Sequence, residues 1–200
     1  NEGHAGFLGI ERIRELTQDE GLDFDAALEV VRAGTVFTTH TPVPAGIDRF
    51  PRELIMQYFG GDNAQKGIPV DRVLALGAET YEGGDDSVFN MAVMGLRLGQ
   101  RANGVSLLHG DVSRGMFAGL WPHFDKAEVP IGSITNGVHA PTWVAPEVLA
   151  LAERSGGRYF IEQGRNWAEA VEKISDHDIW RTKRVLRQRL VADVRRRVRA

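Results

Sequence analysis

Apolar side chains recur at helical spacing through residues 5–16, where Phe7, Leu8, Ile10, Ile13 and Leu16 alternate with Glu11, Arg12, Arg14 and Glu15. The spacing predicts a helix with one buried face. The pattern repeats over residues 24–33, with Asp23 as N-cap and Gly34 as the stop. Residues 35–39, Thr-Val-Phe-Thr-Thr, are β-branched and aromatic and read as a short buried strand. The strand runs into His40-Thr41-Pro42-Val43-Pro44-Ala45-Gly46, where two prolines and a glycine end regular structure. Further helices are expected near residues 51–58 and over 70–79, and Gly83-Gly84-Asp85-Asp86 reads as a solvated turn. Residues 88–98 are apolar and continuous enough to read as a buried strand, with helix as the competing reading. Residues 103–117 read as a helix with Val105, Leu108, Val112 and Phe117 on a shared side, and 129–134 as a strand leading into Thr135-Asn136-Gly137-Val138-His139. A helix follows over 141–153, with Pro146 near its first turn, and Gly156-Gly157 breaks it. Strands alternating with helices define an α/β layered fold with a parallel sheet.

Composition adds few exclusions. Hydrophobic residues make up 42% and charged residues 26% of the 200, which are ordinary globular values. No cysteine is present, so disulfides, thiolate metal sites and thiol nucleophiles are excluded. The longest uncharged stretches are broken by Gly, Asn or His, so no apolar segment reaches the length of a bilayer span; no signal peptide is recognisable, and a cytoplasmic protein is expected. Charge is uneven. Residues 181–200 hold nine of the 24 basic residues and one acid, giving +8 against −11 for the rest. Nucleic-acid binding is one reading of that segment. The preferred reading is an amphipathic helix with a solvated basic face, because Ile179, Trp180, Val185, Leu186, Leu190, Val194 and Val198 recur at helical spacing. The chain opens on Asn1 and stops within that periodic pattern at Ala200, so an internal segment of something longer is expected.

Three polar clusters are candidates for chemistry: Asn1-Glu2-Gly3-His4, Thr38-Thr39-His40-Thr41-Pro42 and Ile134-Thr135-Asn136-Gly137. The second and third follow predicted strands, and ligands of open α/β sheets bind beyond the carboxyl ends of strands. His40 offers a donor and an acceptor near neutral pH, Asn136 an acceptor and two donors, and Glu2 a strong acceptor. Such groups suit a polyhydroxylated ligand, since each sugar hydroxyl both donates and accepts. The prolines are expected to fix His40, and Gly137 to permit a sharp turn that presents Asn136. Read individually, a strand-end histidine caps a turn more often than it binds a ligand, and Asn-Gly is commonly just a turn. The remaining histidines are scattered without metal-ligand spacing, and no metal is expected. No Walker loop, G-x-G-x-x-G or G-x-S-x-G occurs.

Read in order, five stretches resemble the α-glucan (glycogen, starch, maltodextrin) phosphorylase family. They are Asn1-Glu2-Gly3-His4, Phe37 through Gly46, Phe89-Asn90-Met91-Ala92, Ala102 through His109 and Thr135 through Trp143. Each is short; their common order carries the likeness. The details are most similar to a divergent, actinobacterial-like bacterial branch. Muscle-type enzymes have Asp-Thr-His where this chain has Glu2-Gly3-His4, and arginines where it has Ala140, Pro141 and Thr142.

The resemblance implies a glycosyltransferase-B fold of two Rossmann-like domains, here incomplete. Residues 1–135 would end the N-terminal glucan-binding domain, and 136–200 would form the interdomain junction and the start of the C-terminal cofactor domain. It implies retaining phosphorolysis of an α-1,4-glucan by inorganic phosphate, giving glucose 1-phosphate. It implies pyridoxal 5′-phosphate on a lysine outside this chain, so that the segment alone is inactive and binds no cofactor. Carried over by position, His40 would bond the glucose 6-hydroxyl and set its backbone carbonyl near the anomeric carbon, and Asn136 would bond the 4- and 6-hydroxyls. Glu2, His4 and Thr41 would line the same substrate pocket, with no cofactor or metal ligand in the segment. Expected partners are the glucan and phosphate, with a possible homodimer and neither nucleic acid nor membrane. The alternatives are a nucleotide-sugar glycosyltransferase of similar fold and a non-catalytic carbohydrate-binding module.

Overall fold

The computed structural model describes residues 1–156 and 171–199. They fall into two units, Asn1–Asn136 and Gly137–Ala200. In the first, a 3₁₀ turn at Gly3–Ala5, α1 (Phe7–Gln18) and α2 (Phe24–Ala33) precede β1 (Val36–Thr39). Next come β2 (Arg49–Pro51), α3 (Arg52–Phe59), α4 (Val70–Gly77) and β3 (Val88–Asn90), then α5 (Met91–Leu98) and β4 (Arg101–Gly104). The unit closes with α6 (Leu107–Met116) and β5 (Ile131–Ser133). The second unit holds α7 (Ala140–Trp143), α8 (Pro146–Gly156) and α9 (Asp176–Arg199). No described helix is long and apolar enough to cross a membrane.

The sheet is parallel, in the order β1-β4-β5. Thr39 lies opposite Gly104, and Gly104 opposite Ser133, so the three strands end level at one edge. A separate antiparallel pair, β2 with β3, joins Phe50 to Phe89. This pair was not expected from the sequence, since three-residue strands are too short to display a period of two.

Caps fix several helix starts. Asp23 Oδ1 accepts the Ala26 amide at 2.8 Å, as its position before the apolar pattern implies. Ser106 Oγ accepts the His109 amide at 3.1 Å. Asn90 Oδ1 accepts from Ala92 and Val93 at 2.9 and 3.1 Å.

The Asn90 cap explains a correction. Residues 88–98 are not one buried strand; the chain switches from β3 to α5 at Asn90. Every residue of α5 except Arg97 is buried, so the helix has no polar face and its period is invisible in the sequence. α5 is the spine of the unit. Met91, Met94 and Leu98 join a cluster with Ile10, Ile13, Val31, Val73 and Phe89, while Ala92, Val93 and Leu96 join a second with Phe37, Phe117 and Ile131. Each full burial of such a side chain contributes about 1.5–3 kcal/mol.

Other expectations need adjustment. Residues 103–117 begin as β4 and become helical only after Ser106, and Leu108 is exposed. Leu8 is exposed too, because two residues of helix turn it about 200° from Ile10. The helix over 141–153 is two helices, since Ala145 precedes Pro146 and is pushed out of helical geometry. α8 ends at Gly156, and Gly157 lies outside the described residues. α9 is the expected long helix, and none of its described residues is buried.

Candidate functional site

Because β1, β4 and β5 are parallel and level, their carboxyl ends share one edge of the sheet. His40 leaves β1 there, and the stretch carrying Asn136 leaves β5. One strand separates the two, so they begin about 10 Å apart, twice the interstrand spacing. Asn136 is held differently from the expectation. Ile134 N donates to Gly104 O at 3.0 Å and Asn136 N to Val105 O at 3.2 Å, so every second amide continues the ladder past β5. Gly137 has no positive φ. Asn136 is thus presented by extended backbone rather than by a sharp turn, and its side chain is exposed.

Asn1 and Glu2 converge on His40. Asn1 Oδ1 lies 2.6 Å from His40 Nε2. An amide oxygen only accepts, so Nε2 carries the proton, and in the neutral ring Nδ1 is an unprotonated acceptor. The Glu2 carboxylate accepts the His40 amide through Oε1, the Thr41 amide through Oε1 at 3.2 Å, and the Thr41 hydroxyl through Oε2 at 2.9 Å. Partial burial pushes the Glu2 carboxyl up. The His40 amide, the Thr41 and Thr39 hydroxyls and the His40 ring outweigh this and hold it below the usual glutamate range. The Glu2 amide donates to Thr38 O at 2.7 Å, which places Glu2 alongside the end of β1.

His4 stands apart. It lies in the 3₁₀ turn, exposed, and its ring makes no hydrogen bond within the described residues. The structure therefore brings Glu2, His40 and Thr41 into one bonded cluster and sets Asn136 on the same sheet edge. A groove of about 370 Å³ adjoins Asn1 and Glu2, and Arg12, Thr35 and Phe37 line it further along.

Two supporting groups escaped the sequence reading. Asn103, on β4, accepts the Thr38 hydroxyl at 3.0 Å through Oδ1 and ties the ends of β1 and β4 together. His109 is buried, and its Nδ1 accepts the Val105 amide at 3.1 Å. Val105 is the residue whose carbonyl holds Asn136. Both belong to the Ala102 through His109 stretch, but nothing in its periodicity separates a histidine that supports backbone from one that meets ligand.

Gly3 fixes the approach of the Glu2 segment. A Cβ there would lie 2.8 Å from Met91 Cβ and 3.1 Å from the Ala92 amide nitrogen, so the 3₁₀ turn rests directly on the first turn of α5.

The described residues contain no cluster of three or more histidine or acidic side chains able to hold a metal ion. Neither lysine of the first unit fits a cofactor-anchoring role at this cluster: Lys126 pairs with Asp111 at 2.7 Å, and Lys66 is exposed in the loop before α4. What the edge offers is a set of directional donors and acceptors.

Sequence comparison points to one class of protein. Along its whole length the chain is similar to glycogen and maltodextrin phosphorylases, of which it spans one segment. It is 58% identical over 205 residues to glycogen phosphorylase of Mycobacterium tuberculosis, an alignment that covers all of this chain and 23% of that protein. It is 37% identical over 204 residues to maltodextrin phosphorylase of Thermococcus litoralis, covering 99% of the chain and 23% of the relative. Identity to glycogen phosphorylase of Aquifex aeolicus is 33% over 201 residues, covering all of the chain and 28% of the relative. The chain thus spans about a quarter of the length of the curated relatives it matches. No protein-family model matches it.

Proposed function

We propose that this chain is the glucose-binding segment of a retaining α-1,4-glucan phosphorylase. The complete protein transfers the non-reducing terminal glucose of a glucan to inorganic phosphate and releases glucose 1-phosphate. One observation carries the reading beyond sequence likeness: His40 sits at the carboxyl end of β1 with its ring fixed by Asn1, and Asn136 ends a stretch on the same sheet edge. Whole-chain identity to glycogen and maltodextrin phosphorylases supports it.

In this proposal His40 accepts the glucose 6-hydroxyl proton at Nδ1, while its backbone carbonyl faces the anomeric carbon. As the glycosidic bond breaks, positive charge grows at that carbon, and a carbonyl dipole already fixed in direction stabilises it without reorganisation. Asn136 bonds the 4- and 6-hydroxyls, holding the ring from the other flank. Glu2, His4 and Thr41 belong to the same pocket.

The proposal assigns residues 1–135 to the N-terminal domain of a glycosyltransferase-B fold and 136–200 to the junction and the start of the next domain. It places pyridoxal 5′-phosphate elsewhere in the complete protein, and gives no residue of this segment to it. It makes the protein cytoplasmic, with glucan and phosphate as partners, a possible homodimer, and no nucleic-acid or membrane association. The test is incubation of the full-length protein with maltooligosaccharide and inorganic phosphate, with glucose 1-phosphate as the product sought.

A further inference from the structure

We propose that Glu2 is a positioning residue, which fixes the His40–Thr41 backbone and through it the direction of the His40 ring, without touching the sugar. The inference rests on the phosphorylase reading above for its consequence in turnover, but not for the contact itself.

Three donors from two adjacent residues converge on the Glu2 carboxylate: the His40 amide, the Thr41 amide and the Thr41 hydroxyl. Together they occupy most of the roughly four acceptor positions a carboxylate has. All three belong to the loop. The backbone of Glu2 adds a fourth tie, its amide donating to Thr38 O at 2.7 Å. Thr38, His40 and Thr41 are therefore gripped by Glu2, and Asn1, its neighbour, holds the His40 ring at 2.6 Å. Backbone and ring of His40 are both fixed by residues 1–2.

The conformation of Glu2 fits this role. Its φ is +58°, making it the one residue besides glycine with positive φ among the described residues. A side chain in that region is strained and persists where surrounding contacts over-determine it. Here those contacts are the four bonds to Thr38, His40 and Thr41 and the seat of Gly3 on α5. A substrate-binding carboxylate would leave its acceptor positions open toward the ligand. This one turns them toward the chain.

The test uses the full-length protein with Glu2→Ala, Glu2→Gln, His40→Ala and the Glu2→Ala/His40→Ala double variant. Positioning through His40 predicts that Glu2→Ala lowers kcat/KM for maltooligosaccharide phosphorolysis about 10- to 100-fold, and that the double variant is no worse than His40→Ala alone. A direct sugar contact predicts losses that multiply, which would overturn the proposal. A second readout needs no turnover: the rate at which diethyl pyrocarbonate modifies His40, followed by peptide mass spectrometry with exposed His123 as internal reference. Loosening the grip is expected to raise the His40 rate at least threefold in Glu2→Gln, which keeps the shape of the side chain, with His123 unchanged. An unchanged His40 rate in both Glu2 variants overturns the proposal. Absence of phosphorolysis in the unsubstituted protein would count against the functional reading and leave the reactivity measurement to decide the role of Glu2.

Discussion

Asn90 donates through its amide to Glu79 Oε1 at 2.5 Å while its own Oδ1 caps α5. The same Glu79 accepts Arg49 Nε at 2.6 Å through Oε1 and the Asp85 amide at 3.0 Å through Oε2. One carboxylate, 4% exposed, therefore links the segment after α4, the β2–β3 pair, the glycine turn and the start of α5. Burial pushes its carboxyl up, but Asn90, Arg49 and the Asp85 amide prevail and hold it below the usual glutamate range. Glu79→Ala leaves the Arg49 cation and the Asn90 amide without their acceptor, and a loss of about 2–4 kcal/mol is expected in denaturant unfolding. Glu79→Gln keeps an acceptor and costs less. The folded-state pKa is depressed, so this stabilisation is present above the ordinary glutamate value of about 4.3 and fades as pH falls below it. A Glu79→Gln variant should therefore have a flatter stability profile below about pH 4.5 than the parent.

Gly3→Ala tests the seat of the Glu2 segment on α5. The added methyl meets Met91 Cβ at 2.8 Å, Met91 C at 3.0 Å and Ala92 N at 3.1 Å, and two of these are backbone atoms that cannot swing away. A destabilisation of about 1–3 kcal/mol is expected from overpacking. Activity should fall by more than the folded fraction does, because Glu2 is displaced with it. Activity per folded molecule equal to the parent would show that the close approach has no bearing on the site.

Asn136→Ala in the full-length protein removes one flank of the proposed sugar contacts and leaves the Asn136 N to Val105 O bond in place. A fall of about 10- to 100-fold in kcat/KM is expected, with unfolding unchanged within about 0.5 kcal/mol because the side chain is exposed. His109→Ala should do the reverse: the buried acceptor of the Val105 amide disappears, and stability drops by about 1–3 kcal/mol.

The 200-residue segment expressed alone is expected to form no glucose 1-phosphate and to take up no pyridoxal phosphate. Phosphate-dependent product formation, or the absorbance of a bound pyridoxal group, would refute this.

The sequence was most legible where an element has two faces. α1 and α2 have a polar side, so their apolar spacing stands out, and Asp23 announces the start of α2. β1 and β5 announce themselves through β-branched and apolar residues, and the loops beyond them carry His40 and Asn136. Legibility failed where burial is complete. α5 looks like a strand because burial on every side erases its period, and Glu79 looks like a surface acid because its partners lie 30 residues back, at Arg49, and 11 ahead, at Asn90. Within the site, the sequence placed Glu2, His40 and Thr41 together only through family likeness. That the Glu2 carboxylate is engaged with the loop depends on bonds across 38 and 39 positions, which no local pattern encodes.

The central claim is tested most directly by phosphorolysis assayed on the full-length protein and its His40→Ala variant side by side. Maltooligosaccharide and inorganic phosphate are supplied, and glucose 1-phosphate is measured over time. The expected result is phosphate-dependent product from the parent and a loss of about 100-fold or more in kcat/KM for His40→Ala, with the fold intact. Equal turnover in the two proteins would remove His40 from the mechanism, and no phosphate-dependent product from the parent would contradict the phosphorylase assignment itself.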